Sequence, residues 1–365
     1  MPTFPTQPAL LTNEWLTWML RSAGELTDAQ AVRDFATRSI GDGVGMVGQV
    51  LRVDLTYQGD GPAAPASVVM KFAHELEANR AIGNGLRIYR TEVTFYNRIA
   101  GSLEVPKPAC YFAAVAEETG EFLVVLEDMR GYRAGDQLAG VGLDGAKLVM
   151  DAVTPLHAAY WDNTGQDFLR DAMRVSSTWM EAYMPSVEGS WRSCVERFGY
   201  CIPDDVERSL ADYVAGLRRL HAIMGDRTQT LLHGDPRLDN VMFNEGDQGP
   251  PVVLLDWQTV MISNPLHDLA LLLSMSVTTD TRRAIEDDMV RYYHSRLVGL
   301  GVSDYSLQQC FEDYDLAVLY MMSVALVLGG AFQPANERGR RLAEEVLRRS
   351  CAAVVDRGML ERIRA

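Results

Sequence analysis

One stretch constrains this chain more than any other. The residues Leu231, Leu232, His233, Gly234, Asp235, Pro236, Arg237, Leu238, Asp239 and Asn240 run consecutively, and Asp256 follows sixteen positions after Asn240, inside Leu254-Leu255-Asp256-Trp257-Gln258. Two short apolar runs, 241–243 and 252–255, flank a Gly/Pro-rich turn at 245–251, so the segment reads as a hairpin. Such a hairpin sets the 235–240 loop before its first strand and Asp256 at the tip of its second. Phosphoryl transfer needs hard oxygen ligands for magnesium and a group that orients the attacking hydroxyl. Asn240 and Asp256 can supply the ligands, and Asp235 the orienting base. Alone, Asp235 would read as a turn aspartate before Pro236; its spacing from Asn240 and Asp256 favours chemistry. His233 reads as a buried strut of the loop rather than a reacting group.

The text upstream is β-rich. Residues 50–57 alternate apolar and polar, 59–66 form a turn, and 67–73 read as a second strand with Lys71 near its end. Residues 86–100 carry helical spacing, and strand-like runs follow at 109–116 and 121–127. Before them, 9–37 read as a pair of short helices, with Thr27 or Asp28 as a candidate N-cap. After Asp128 the text turns helical, over 145–161, 204–224, 265–277, 280–299, 306–329 and 336–357. The expected fold class is therefore α+β, in two lobes hinged near 127–135. Residues 1–128 form a small antiparallel-sheet lobe with N-terminal helices, and 129–365 a larger, mainly helical one.

Gly43, Gly45 and Gly48 fit a G-x-G-x-x-G pattern, which also describes a dinucleotide-binding turn. A dinucleotide turn opens a helix. Here strand text follows, which suits a glycine-rich hairpin whose backbone N–H groups approach phosphates. Lys71 ends an apolar strand, so its stem is buried and its ammonium needs a partner. Glu92 in the following helix is the natural one, with Glu75 and Glu77 as competitors in a polar stretch.

These motifs carry a resemblance. The His233-to-Asn240 spacing is similar to the catalytic loop of protein kinases, and Asp256-Trp257-Gln258 stands where their metal-binding Asp-Phe-Gly does. Gly234 and the Asp-Trp-Gln variant resemble the aminoglycoside phosphotransferase and choline kinase superfamily. Residues 126–129 and 155–161, with His233-Gly234-Asp235 and Leu255-Asp256-Trp257-Gln258, resemble its ecdysteroid-kinase-like branch, over roughly 40–330. The resemblance implies a protein-kinase-like fold, ATP and Mg2+ as cofactors, and a small-molecule hydroxyl acceptor. It gives Lys71, with Glu92, the α- and β-phosphates, and backbone groups of Glu127, Asp128 and Met129 the adenine. It gives Asp268 the bracing of the catalytic loop. No A-P-E element follows Asp256, and a helix begins within about ten residues, which leaves little room for a peptide-docking segment.

Composition narrows the partners. Thirty-four Lys and Arg against forty-nine Asp and Glu give a formal charge of −15, which repels nucleic acid and anionic lipid. Five scattered cysteines with no CxxC pair read as reduced thiols of a cytoplasmic protein. The first residues form no secretory signal. The apolar run 316–328 is short for a membrane span and reads as a buried helix. Trp161, Trp179, Met180, Tyr183, Met184, Trp191, Tyr320, Met321, Met322 and Phe332 give the helical lobe a Met- and Trp-rich character. That suggests an apolar, steroid- or terpenoid-like alcohol as acceptor, with core packing the bland reading of each residue. Glu181 and Asp313 keep an aminoglycoside- or choline-type cationic acceptor open. A nucleotide-binding pseudokinase-like regulatory protein and a dinucleotide-dependent oxidoreductase are the rivals from other classes.

Overall fold

The computed structural model describes residues 4–40, 48–116, 119–166, 169, 173–174, 177–331 and 336–364. They form two compact units. The first is Met1–Ser102 with Lys107–Gly131, and the second Leu103–Pro106 with Tyr132–Ala365.

The first unit is built on five antiparallel strands, β1 (Ala31–Ser39), β2 (Gly48–Gln58), β3 (Ser67–Ala73), β4 (Cys110–Val115) and β5 (Phe122–Glu127), in the order β1-β2-β3-β5-β4. Helix α1 (Asn13–Ser22) is capped by Thr12, whose hydroxyl accepts from Trp15 N–H at 3.1 Å. It buries Leu16, Met19 and Leu20 against Val53, Val68, Met70, Phe72, Leu123 and Val125. The second of the two helices expected over 9–37 is instead strand β1. A bulge between Val32 and Asp34 breaks its alternation, and only Val32 is fully buried, so the period-2 signal is faint. Neither Thr27 nor Asp28 caps a helix; the Gln30 N–H donates to the Thr27 carbonyl in a turn. Helix α2 (Glu77–Gly85) begins inside the polar stretch 74–80. Helix α3 (Ile88–Thr94) runs on as a π-turn through Ile99.

The second unit carries two three-stranded sheets. One orders β10-β9-β6, where β6 is Tyr132–Ala134, β9 Val241–Asn244 and β10 Val252–Leu254. The other orders β7-β11-β8, where β7 is Met173–Arg174, β8 Thr230–Leu232 and β11 Met261–Ser263. Around them lie α4 (Leu143–Ala159), α5 (Ser177–Phe198), α6 (Asp204–Gly225), α7 (Leu266–Leu271), α8 (Thr279–Gly299), α9 (Leu307–Ala331) and α10 (Glu337–Asp356). Helix α5, absent from the sequence reading, contains Pro185. Helix α9 extends the apolar run seen in the sequence to 25 residues, long and apolar enough to cross a membrane by length and composition. It packs against α5, α7 and α10, and Leu316–Met322 and Leu326 are buried there.

Candidate active site

The first unit supplies a half-buried cation. Lys71 lies in β3 opposite Val50 and Val124. Its Nζ donates to both carboxylate oxygens of Glu92, at 2.7 and 2.8 Å. Glu92 has no exposed surface, and the Lys71 side chain keeps 13%. Helical spacing put Glu92 on the inner face of α3, where the lysine stem reaches it.

Asp128 has another task for its side chain. It accepts from Ser67 Oγ at 2.6 Å, Arg52 Nη2 at 2.8 Å and Arg130 Nε at 2.8 Å. Burial alone would raise its carboxyl, but Arg52, Ser67 and Arg130 hold it below the usual range. These contacts tie β2, β3 and the end of β5 together. Glu127 is exposed, with its carboxylate on the Ala109 N–H at 3.2 Å. Met129 is half-buried beside it. Gly48 opens β2. Gly43 and Gly45 lie outside the described residues.

The second unit holds the loop from His233 to Asn240. Gly234 sits at φ +84°, and a Cβ there would lie 2.2 Å from the Thr259 carbonyl oxygen, so the motif's glycine is a steric requirement. His233 is fully buried. Its Nε2 donates to the Leu255 carbonyl at 3.0 Å, which leaves Nδ1 to accept the Asp235 N–H at 3.2 Å. Burial lowers its pKa and favours this neutral form. His233 is thus a strut between the loop and the strand leading to Asp256.

Asp268, at the start of α7, braces the same loop. One carboxylate oxygen accepts from His233 N–H and the other from Gly234 N–H, both at 3.0 Å. Its Oδ2 also meets His157 Nε2 at 3.1 Å, and His157 Nδ1 meets the Tyr293 hydroxyl at 2.7 Å. Burial pushes the Asp268 carboxyl up, but the His157 hydrogen bond and the surrounding imidazoles win and keep it ionised.

Asp235 behaves differently. Its side chain is 19% exposed. Burial pushes its carboxyl up to about 6; Arg237 opposes the rise and the Asp256 charge adds to it. Arg237 Nε lies 3.5 Å from Asp235 Oδ2. Motif spacing assigns no role to Arg237, and its proximity to Asp235 emerges only in the folded loop. Asn240 Nδ2 donates to the Asp235 carbonyl at 3.0 Å and to its carboxylate at 3.1 Å. With the NH2 end so engaged, the amide presents its oxygen elsewhere. Asp256 stands at φ +65°, an uncommon conformation for a non-glycine residue and one that clusters at functional sites. Trp257, wholly buried, anchors this turn through Nε1 to the Leu254 carbonyl at 3.1 Å, and Gln258 Nε2 donates to Asp256 Oδ2 at 3.1 Å.

The donor set fits magnesium. Asn240 offers an amide oxygen and Asp256 a carboxylate, both hard ligands, and the repulsion between Asp235 and Asp256 is what a divalent cation would relieve. Among the described residues no three His, Cys, Asp or Glu side chains could hold a metal by themselves. Two protein oxygens completed by phosphate and water is the usual arrangement for magnesium with a nucleotide.

Five of the eight described side chains in the Met- and Trp-rich set are core. Met180, Met184, Tyr320, Met321 and Met322 are buried. Tyr183 meets Ser323 Oγ at 3.1 Å, and Trp161 stacks edge-on with Tyr305 at 5.0 Å. Trp191 is half-buried, with Arg192 over its ring. Phe332 lies outside the described residues, and the Trp179 side chain is not among those described.

The ecdysteroid kinase-like family model matches residues 42–301. The sequence matches no curated protein. Among solved structures, the chain is similar to a Ralstonia eutropha JMP134 protein assigned to the aminoglycoside phosphotransferases. That likeness has 12% identity, 95% of this chain and 98% of that one covered, and a TM-score of 0.56. The GDP complex of wild-type aminoglycoside 2'-phosphotransferase-IIIa shows 15% identity, coverage of 92% and 99%, and a TM-score of 0.50. A Plasmodium vivax ethanolamine kinase shows 12% identity, coverage of 90% and 83%, and a TM-score of 0.50. At these identities the likeness is one of fold, the α+β protein-kinase-like fold.

Proposed function

The chain belongs to the ecdysteroid kinase-like family, and from that premise we propose that it moves the γ-phosphoryl group of ATP to a hydroxyl of a steroid- or terpenoid-like alcohol, with magnesium. Membership makes it a phosphotransferase acting on small molecules. Asp235 carries the finer reading. It is a partly exposed carboxyl held at about 6 beside an oxygen donor pair, so at neutral pH it is ionised yet basic enough to take a proton.

In this reading Asp235 accepts a hydrogen bond from the acceptor hydroxyl. The hydroxyl oxygen bonds to the γ-phosphorus, the bond to the β–γ bridging oxygen breaks, and ADP leaves with that electron pair. Asp235 takes the hydroxyl proton late in the step. Lys71, fixed by Glu92, offers its charge to the α- and β-phosphates. Backbone N–H groups of the glycine turn containing Gly43, Gly45 and Gly48 cradle the phosphates, and backbone groups of Glu127–Met129 bind adenine. Asn240 Oδ1 and Asp256 would hold magnesium, which supplies positive charge against the phosphate oxygens.

The family's description names a steroid class, and one of the two acids that could meet a cationic acceptor is already engaged, while Glu181 is exposed. Asp313, a candidate partner for a cationic one, is buried, accepts from the Tyr305 hydroxyl at 2.8 Å and faces Arg227 at 3.6 Å. Burial raises its carboxyl further toward the neutral form.

The test is a phosphoryl-transfer screen with Mg-ATP against sterol alcohols, aminoglycosides and choline, read by mass spectrometry. Sterol phosphates should form with the wild type. Asp235→Ala should lower turnover on the order of 10³-fold while Mg-ATP still protects it against thermal unfolding. Products confined to the cationic set would move the acceptor class. Protection of the wild type by NAD and not by Mg-ATP would sink phosphoryl transfer altogether.

A further inference from the structure

The family match ends at residue 301, yet the catalytic loop is gripped from beyond it. Helix α10 begins at Glu337, capped by Asn336 Oδ1 on the Gly339 N–H at 2.9 Å. In its first turn Arg338 forms a fork with Asp239, Nη1 to Oδ2 at 3.0 Å and Nη2 to Oδ1 at 2.9 Å. Nη2 also reaches Asp136 Oδ1 at 3.3 Å. Asp239 keeps only 9% of its side-chain surface and accepts the Gln137 N–H at 2.9 Å as well. It is the immediate neighbour of Asn240, whose amide binds Asp235.

Eleven residues along α10, just over three full turns and so on the same face, Arg349 does a parallel job. It is 3% exposed and donates to the carbonyls of Gln137 at 2.6 Å, Leu138 at 2.8 Å and Met275 at 3.4 Å. Met275 lies in a π-turn over Leu272–Ser276, and Ser276 Oγ accepts the Leu238 N–H of the loop at 3.2 Å. One stripe of α10 thus holds the catalytic loop at Asp239 and also the two segments packed on it. Gly135 marks how close they run, since a Cβ there would lie 2.2 Å from the Leu238 carbonyl oxygen.

We propose that Arg338 is a positioning residue, which through its fork to Asp239 sets the orientation of Asn240 and Asp235. Asp268 fixes the His233–Gly234 end of the loop, and Arg338 fixes the Asp239–Asn240 end. A planar fork on a carboxylate defines direction as well as distance, which a lysine cannot reproduce. The inference rests on the phosphotransferase reading only for its effect on turnover; the restraint on the loop stands without it.

Arg338→Ala in the full chain should speed amide hydrogen exchange in a peptide covering 234–240 on the order of tenfold, with α8 unchanged. Hydrolysis of Mg-ATP without acceptor, used as the activity probe, should fall on the order of tenfold in kcat, with KM for ATP within about threefold. Arg338→Lys should recover part of both. Asp239→Asn should match Arg338→Ala, and the double variant should add nothing further. Arg340→Ala is the control, because Arg340 pairs with Glu337 and Glu344 on its own helix and should leave loop exchange at the wild-type rate. Wild-type exchange in Arg338→Ala, or equal acceleration in Arg340→Ala, overturns the inference. Accelerated exchange in a protein whose wild type transfers no phosphoryl group would retain the restraint and reject the activity.

Discussion

Lys71 and Asp235 are both charged groups withdrawn from water, and their surroundings treat them in opposite ways. Lys71 has a full counter-charge, a bidentate carboxylate at 2.7 and 2.8 Å. Asp235 has a weaker one, an arginine at 3.5 Å, and a second carboxylate acting against it. The first pair is satisfied and rigid, so Lys71 is held in one place. The second is left short of counter-charge, which raises its basicity and disposes the site to take in a cation. Pairing serves placement, and incomplete pairing serves reactivity.

Removing the cation of the satisfied pair is the sharpest way to break this contrast. Lys71→Met leaves Glu92 buried without its lysine and should cost about 3 kcal/mol, read as the urea midpoint of unfolding. The double variant Lys71→Met/Glu92→Gln should recover most of that loss, because a buried pair replaced as a whole is often nearly neutral. A single-variant loss below about 0.5 kcal/mol would mean the pair behaves like a surface one.

Asp235 should respond with the opposite sign. Its folded pKa of about 6 exceeds the ordinary 3.8. The folded state therefore binds the extra proton, and this group's contribution to stability is present at low pH and lost as pH rises through about 6. Near pH 8, Asp235→Asn should stabilise the apo protein by about 1–2 kcal/mol, and the gain should shrink toward zero near pH 4. A variant less stable than wild type near pH 8 would show that the carboxylate is well paired after all.

Which residues meet was legible where they are local in sequence. Asp235, Asn240 and Asp256 lie within one hairpin, and Lys71 and Glu92 are consecutive features of one strand-helix unit, so spacing and period were enough to bring them together. The bracing by Asp268 came from the resemblance instead, since 34 residues separate it from Gly234. Contacts across long sequence separations were not. Arg338 meets Asp239 from 99 residues away, and nothing in its local text marks it. Strand β1 was misread because its bulge and exposed face erase the alternation, and α5 because Pro185 interrupts a helix with little apolar bias. The Met- and Trp-rich residues carried two readings, pocket lining and core packing, which composition alone does not separate. Composition showed that those side chains are apolar, but burial of Met321 and Met322 was decided by the packing of α9 among α5, α7 and α10.

Arg237 offers the finest adjustment of the comparison, since among the described residues it is the cation that holds the Asp235 carboxyl down. If Asp235 must be ionised to take the hydroxyl proton, turnover in the wild type should fall tenfold per pH unit on an acid limb whose midpoint lies below about 6, because magnesium offsets the Asp256 charge that helps raise the carboxyl. Arg237→Met removes the opposing charge, so the carboxyl should rise and the acid limb should move upward by about one pH unit. Arg237→Lys keeps the charge and should leave the limb within about 0.3 units of wild type. The Arg237→Met profile is read as log kcat/KM against pH with the acceptor found in the screen. A limb that moves downward, or a neutral-pH rate lost with the midpoint unchanged, would assign Arg237 to binding phosphate rather than to tuning Asp235.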